Sequence, residues 1–113
     1  MPPGSPVITS TANARVKVIR GLRARRERDR TGLAWVEGIR PTVEALQLNA
    51  PVDVLVVAPD LLNSDFARDA VEAARADGVE VVEVTSAVFR SLSDRDGPQG
   101  LGDRKSTRLN SSH

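Results

Sequence analysis

Three short apolar runs, each followed by a segment with helical periodicity, restrict this chain to a narrow set of folds. The runs are residues 33–36 (LAWV), 52–57 (VDVLVV) and 79–84 (VEVVEV). The first is apolar at every position, which predicts a central strand covered on both faces. Strands that alternate with helices are joined by right-handed crossovers. The sequence therefore predicts an α/β fold, a small three-layer α/β/α sandwich with a mostly parallel sheet.

Four helices are predicted around these strands. The first begins at Ser10, Thr11 or Asn13, and the second begins near Pro41. A third is capped by Asn63 or Ser64 and ends before Gly78, and a fourth begins at Thr85 or Ser86. The predicted core-facing residues, in chain order, are Ala12, Val16, Ile19 and Leu22; Ile39, Val43, Leu46 and Ala50; Phe66, Ala70, Ala73 and Ala74; and Val88, Phe89 and Leu92.

Composition excludes several classes of function. The chain has no cysteine, so disulfides, thiolate metal sites and a cysteine nucleophile are excluded, and a reducing cytoplasm is expected. No apolar run is long enough to span a membrane. No glycine-rich phosphate loop precedes a helix, the acidic residues are too scattered for a metal site, and the one histidine is His113. The sequence therefore predicts no catalytic apparatus in this chain.

Positive charge is concentrated in the first third of the chain. Residues 15–40 contain nine Lys/Arg and three Asp/Glu, whereas residues 41–102 contain four and eleven. On one continuous first helix, Lys17, Arg20 and Arg28 would lie on a single face with Asn13, away from the apolar face. Such a face attracts polyanions, with nucleic acid as the usual partner. The alternative is a solvated helix face whose arginines pair with nearby acids.

Several of these residues are candidates for contact with an RNA or DNA backbone. Arginine holds phosphate in a bidentate manner and lysine acts as a point charge, so Lys17, Arg20 and Arg28 beside Arg40 suit phosphate. Glu37 is predicted to orient one of the arginines, and Asn13 is either a helix cap or a donor to phosphate and sugar. Trp35 is predicted to lie in the core. With three aromatic residues in the chain, shape and phosphate contacts are expected rather than base stacking.

The last eleven residues, 103–113 (DRKSTRLNSSH), have no apolar periodicity and match the translation of a common sequencing adapter. We interpret them as an artefact, and the Asn110 glycosylation sequon with them. Removing three Lys/Arg and one Asp changes the formal net charge from +1 to −1. About 100 remaining residues suffice for one domain. The expected organisation is a disordered N-terminus (1–6), one binding domain (7–93) and a linker (94–102) before the tail.

A family resemblance is carried by two groups of residues. The first contains Asn13, Val16-Lys17, Leu22, Arg25-Arg26, Val36-Glu37-Gly38, Arg40 and Glu44-Ala45-Leu46, preceded by Ile8-Thr9-Ser10. The second contains residues 89–94 (FRSLSD) and Pro98-Gln99-Gly100. In this order they resemble the N-terminal substrate-binding domain of the SpoU-type (TrmH-like) RNA 2′-O-ribose methyltransferases.

The resemblance implies a ribosomal protein L30e-like domain that binds structured RNA, either ribosomal or transfer RNA. The polar positions of the family fall on Asn13, Lys17, Arg26, Glu37 and Arg40. In the family, a second, knotted domain binds S-adenosylmethionine, forms a homodimer and carries out catalysis. The full-length parent is therefore expected to be an enzyme, and this chain alone is expected to be inactive and to hold no cofactor or metal.

Two other classes remain open on the sequence. One is a free-standing RNA-binding module of ribosomal-protein type, which would share the fold and the cationic face. The other is a small receiver-like or protein-interaction domain. A receiver would need an acidic cluster at its strand ends, whereas Asp53 is a lone acid at a strand start.

Overall fold

The computed structural model describes residues 7–93 and 97–106. The predicted disordered N-terminus (1–6), part of the predicted linker (94–96) and residues 107–113 of the tail, with Asn110 and His113, lie outside the described residues. Within the described ranges the elements follow in the order α1 (Ala14–Gly21), α2 (Arg25–Thr31), β1 (Leu33–Glu37), α3 (Ile39–Gln47), β2 (Val52–Val57), α4 (Asp65–Ala76), β3 (Glu80–Glu83), α5 (Ser86–Leu92) and β4 (Leu101–Ser106).

The predicted sandwich is confirmed, with helices on both faces of one sheet. Because successive side chains of a strand point to opposite faces, Val54 and Val56 of β2 face one helical layer, and Leu55 and Val57 face the other. Helices α1 and α5 cover the first face, and α3 and α4 cover the second. The first core contains Val16, Ile19, Val82, Val84, Val88, Phe89 and Leu92, and the second contains Ala67, Val71, Ala74, Val81 and Leu101.

The prediction of a mostly parallel sheet is wrong, because the sheet is mixed. Its strand order is β1-β4-β2-β3, in which β2 and β3 are parallel and β4 runs antiparallel to both of its neighbours. The start of β4 pairs with the ends of the other two strands, Leu101 with Val57 and Gly102 with Glu37. The chain thus enters the sheet at the end where β1 and β2 finish, and it can only run in the opposite direction.

Strand β4 is not anticipated from the sequence, and it displaces β1 from the centre. The sequence predicts a linker at residues 101–102 and an adapter-like tail at residues 103–106, yet all six residues form this strand. The predicted central position of residues 33–36 is wrong, since β1 is an edge strand whose residues are all half-buried. Its apolar run reflects contact with both helical layers rather than two neighbouring strands.

The predicted first helix is two helices. Helix α1 ends at Gly21, and after a turn through Leu22 the chain begins α2 at Arg25. Two contacts stabilise this break: the Leu22 side chain is buried, and Arg28 Nη1 donates to the carbonyl oxygens of Leu22 at 2.9 Å and Arg23 at 2.8 Å. The expectation that Arg28 continues the face of Lys17 and Arg20 on one helix is therefore wrong.

The core face of α4 is rotated by one residue from the predicted face. Its buried residues are Ala67, Val71 and Ala74, whereas the side chain of Phe66 is 60% exposed. The two stripes have the same helical spacing, so periodicity alone does not distinguish them. The predicted caps are confirmed: the side chains of Asn13, Ser64 and Thr85 each accept a backbone N–H of the following helix. Gly78 follows the end of α4 with φ +90°.

Candidate RNA-contact surface

Most of the positive charge lies in one helical layer. Residues 14–31, which form α1 and α2, contain eight Lys/Arg and two Asp/Glu. Helix α5 packs beside α1 and adds Arg90. We call the lysine and arginine residues of 14–31, together with Arg90, the cationic surface. Helices α1 and α5 pack on the sheet face opposite α3 and α4, so the sandwich separates their cations from the acidic residues of α4.

Several arginines of this surface hold the local fold together. Arg20 donates to the Thr11 carbonyl oxygen, at 2.6 Å from Nη2, and ties the segment before α1 to that helix. Arg23 Nη2 donates to the carbonyl oxygens of Ser91 and Ser93, each at 3.1 Å, and joins α1 to the end of α5. A carbonyl acceptor does not neutralise the charge of a guanidinium group. Arg20 and Arg28, whose side chains donate to carbonyl oxygens, therefore still contribute positive potential.

Three other arginines of the layer are paired with carboxylates, and the weakest of these pairs joins Arg25 Nε to Asp29 Oδ2 at 3.8 Å. Arg15 Nη1 lies 2.9 Å from Glu80 Oε2, and this hydrogen bond lowers the pKa of Glu80 below its usual value. Arg30 Nη2 lies 2.6 Å from Glu27 Oε1, and the pKa of Glu27 is lowered for the same reason. These pairs confirm in part the alternative interpretation of the charge cluster as a solvated, self-paired helix face.

Three cations of this surface remain available to a ligand. Lys17, Arg26 and Arg90 are exposed, and none of their side chains makes a hydrogen bond or ion pair with another residue in 7–93 or 97–106. Lys17 and Arg26 were predicted from the sequence, whereas Arg90 was missed. The available signal was its exposed place on α5 between the buried Phe89 and Leu92.

Arg40 belongs to the other helical layer. It lies in the first turn of α3, which follows Gly38, and its side chain is exposed and makes no hydrogen bond or ion pair within the described parts of the chain. The structure thus brings Lys17, Arg20, Arg26 and Arg28 into one layer and places Arg40 beyond the end of β1. A single stripe on one helix does not join all five residues.

The remaining predicted residues have identifiable structural contacts. Asn13 Oδ1 accepts the Arg15 backbone N–H at 2.8 Å, so Asn13 is a helix cap. Glu37 Oε2 accepts the Ser93 hydroxyl at 2.5 Å. This contact fixes the end of β1 against the segment after α5. Trp35 packs against the first core, edge-on to Phe89 with ring centroids 6.1 Å apart, which confirms its prediction as a core residue.

The described residues contain no group of three or more metal-ligating side chains. No helix within the same ranges has the length and apolar character required to cross a bilayer.

One buried polar cluster lies on the α3 side of β4. The Asp103 side chain is fully buried, and Thr42 Oγ1 donates to its Oδ1 at 3.2 Å. Lys105 Nζ lies 3.6 Å from Oδ2, which provides an ion pair without a hydrogen bond. Burial raises the pKa of the Asp103 carboxyl above its usual value, opposed by Lys105 and Thr42. Arg104 Nε is also buried without a hydrogen-bond partner among the described residues.

Comparison with known structures gives consistent relatives. An RNA 2′-O ribose methyltransferase is 30% identical over 96% of this chain and 40% of its own, with a TM-score of 0.80. An rRNA methyltransferase from Sinorhizobium meliloti is 28% identical over 92% of this chain and 38% of its own, with a TM-score of 0.74. The SpoU methyltransferase AviRb from Streptomyces viridochromogenes shares the fold. It is 24% identical over 86% of this chain and 34% of its own, with a TM-score of 0.66.

The chain spans about 40% or less of the length of these relatives. No curated protein matches it. Residues 13–102 match the sequence profile of the MRM3-like substrate binding domain. The resemblance to SpoU-type (TrmH-like) RNA 2′-O-ribose methyltransferases is thereby confirmed, and the chain belongs to the MRM3-like substrate-binding domain family.

Proposed function

We propose that this chain is the RNA-binding domain of an S-adenosylmethionine-dependent RNA 2′-O-ribose methyltransferase whose substrate is ribosomal or transfer RNA. The observation that carries the proposal is the cationic surface, on which Lys17, Arg26 and Arg90 are exposed and unpaired within the described residues. Unpaired cations on one face bind a phosphate backbone without reading its sequence, which suits a domain that positions RNA for another domain.

Salt dependence tests the proposed surface. For wild-type chain and a structured RNA hairpin, we expect log affinity to fall linearly with log salt concentration. The double variant Lys17→Ala/Arg26→Ala is expected to lower this slope by about 1.4 to 1.8, because each phosphate contact contributes roughly 0.7 to 0.9. Adding Arg90→Ala is expected to lower it by about one further contact. Fluorescence anisotropy across a salt series measures the slope.

A charge-matched control lies on the opposite layer. Arg68→Ala/Arg75→Ala removes the same two charges from α4, where both arginines sit beside acids. This variant is expected to keep the wild-type slope. If both double variants reduced the salt slope equally, net charge rather than the cationic surface would govern binding, and the proposal would be wrong.

We also propose that residues from 103 onward are foreign to the natural protein. Two observations support this: the match to the family profile ends at residue 102, and the next residue is a fully buried carboxylate in a central strand. Central strands are normally apolar on both faces. In the natural protein, we propose, an apolar strand continues from Gly102 toward a catalytic domain that binds S-adenosylmethionine and forms the dimer.

Restoring the gene tests the parent enzyme and the tail together. The genomic sequence downstream of codon 102 is expected to encode an apolar strand and a further domain. The restored protein is expected to transfer tritiated methyl groups from S-adenosylmethionine to ribosomal or transfer RNA, whereas the 113-residue chain is expected to transfer none. A stop codon directly after codon 102 would favour the free-standing RNA-binding module, and turnover by the 113-residue chain would contradict the assignment of catalysis to a missing domain.

A further inference from the structure

A groove lies on the α3 side of the molecule, away from the cationic surface. Its volume is about 510 Å³, and its lining includes Arg40, Pro41, Glu44, Gln47, Phe66 and Gln99. This volume is within the range of sites that hold small organic groups. The groove is bounded by the first turns of α3, by the start of α4 and by the segment that leads into β4.

Phe66 is the one aromatic side chain in the sequence with an open face. Trp35 and Phe89 pack in the first core, whereas Phe66 is 60% exposed and projects from the first turn of α4. An exposed phenyl ring at the edge of a groove offers a stacking surface, and stacking on aromatic rings is the main way in which unpaired bases are held.

The polar residues of the groove are arranged along one face of α3. Arg40, Glu44 and Gln47 follow at i, i+4 and i+7, so their side chains lie on one stripe. Across the groove, Gln99 Oε1 accepts the Ile39 backbone N–H at 2.8 Å, which orients the Gln99 side chain. The stripe begins with the unpaired cation Arg40 and continues with Glu44, whose carboxylate can accept a hydrogen bond from an amino group.

We infer that this groove holds one unpaired nucleotide of the bound RNA, with its base stacked on Phe66 and its phosphate on Arg40. The inference rests on the proposed function. Glu44 disfavours a bare phosphate backbone, but it suits a base that carries an exocyclic amino group. The groove therefore favours adenosine, cytidine or guanosine over uridine. The Phe66 contact supplements the shape and phosphate contacts expected from the sequence.

A set of three RNA hairpins tests the inference with the 113-residue chain. One hairpin carries a single bulged adenosine, the second has an abasic sugar at that place, and the third is fully paired. Phe66→Ala is expected to weaken binding of the bulged hairpin by about five- to one-hundred-fold. It is expected to change binding of the other two hairpins by less than about twofold and to leave the salt slope unchanged, because no phosphate contact is lost.

Leu48→Ala is the matched control, since Leu48 is 80% exposed and does not line the groove. It is expected to alter none of the three affinities. Thermal unfolding of Phe66→Ala is expected to stay near that of wild type because the ring is mostly exposed. Replacing the bulged adenosine by uridine is expected to weaken wild-type binding.

Two results would overturn the inference and leave the proposed function standing: Phe66→Ala without effect on the bulged hairpin, or an equal effect on all three. A change in sedimentation of Phe66→Ala with unchanged RNA affinity would identify the groove as a protein-docking face, which also overturns it. If the wild-type chain bound none of the hairpins at any salt concentration, the proposed function would fail and this inference with it.

Discussion

Replacing Gly102 by alanine is expected to lower the free energy of unfolding by about 3 kcal/mol, at the upper end of the usual cost of overpacking. An added Cβ would lie 2.3 Å from Trp35 Cη2 and 2.5 Å from Cζ2. The indole cannot move away easily, because Trp35 packs edge-on against the buried Phe89. Chemical denaturation of the variant, followed by circular dichroism, measures the loss.

Two further variants separate this clash from a general effect of glycine replacement. Gly97→Ala is the matched control, because nothing lies within 4 Å of its added Cβ, and it is expected to be nearly neutral. Trp35→Leu removes the clashing ring atoms, so the double variant Gly102→Ala/Trp35→Leu is expected to be more stable than the sum of the single changes predicts. Strict additivity would contradict the close approach of β4 to Trp35.

Replacing Asp103 by valine, together with Thr42→Val, is expected to raise the free energy of unfolding at pH 7 by about 1 to 4 kcal/mol. Asp103 is fully buried, and its carboxylate has one hydrogen bond and a long contact with Lys105. The free energy lost by desolvating this charge exceeds the free energy gained from these contacts. Thr42 is changed as well because its buried hydroxyl would otherwise lose its acceptor.

The same carboxyl makes stability depend on pH, and Asp103→Asn isolates that dependence. Burial raises the pKa of Asp103 in the folded state, so the folded protein binds this proton more tightly than the unfolded chain. The contribution of this group to stability is therefore largest below the unfolded pKa and falls as pH rises through the folded pKa. Wild type is therefore expected to lose stability relative to Asp103→Asn as pH rises over that window. Urea titrations at several pH values measure the difference.

An unchanged difference from pH 3 to pH 8 would contradict this account. Glu80→Gln provides a control of opposite sign, because the Arg15 hydrogen bond lowers the pKa of Glu80. The stability that Glu80 contributes is present above its unfolded pKa and is lost as pH falls through its folded pKa. Glu80 is exposed, so its effect is expected to be small.

The sequence predicted well those features that depend on neighbouring residues. The helix caps at Asn13, Ser64 and Thr85 are confirmed, because a cap is a contact between a side chain and the backbone two or three residues away. The sandwich was predicted from the alternation of apolar runs and helical segments, and this alternation is likewise a pattern among neighbouring residues. The candidate surface was predicted in part: Lys17 and Arg26 are free among the described residues, and Asn13 acts as a cap.

Errors arose where alternatives have the same local pattern. The stripes through Phe66 and through Ala67 have identical helical spacing, and the choice between them depends on how α4 sits on the sheet. Arg20 and Lys17 lie on the same helix, but only the Arg20 side chain is held by the protein itself, because it donates to the Thr11 carbonyl oxygen. No periodicity in the sequence indicates this contact between residues nine positions apart. The break between α1 and α2 likewise depends on the Arg28 contacts with Leu22 and Arg23.

By itself, the sequence determined the family, the segregation of charge along the chain and the element types up to α5, apart from the break between α1 and α2. Each of these depends on residues that are close together or in a fixed order. Only the tertiary structure decided the strand order, the reversed central strand β4, the edge position of β1 and the open face of Phe66. These features depend on pairing between distant segments, such as Leu33 with Ser106. The free energy of such pairings comes from backbone hydrogen bonds and burial rather than from local residue preference.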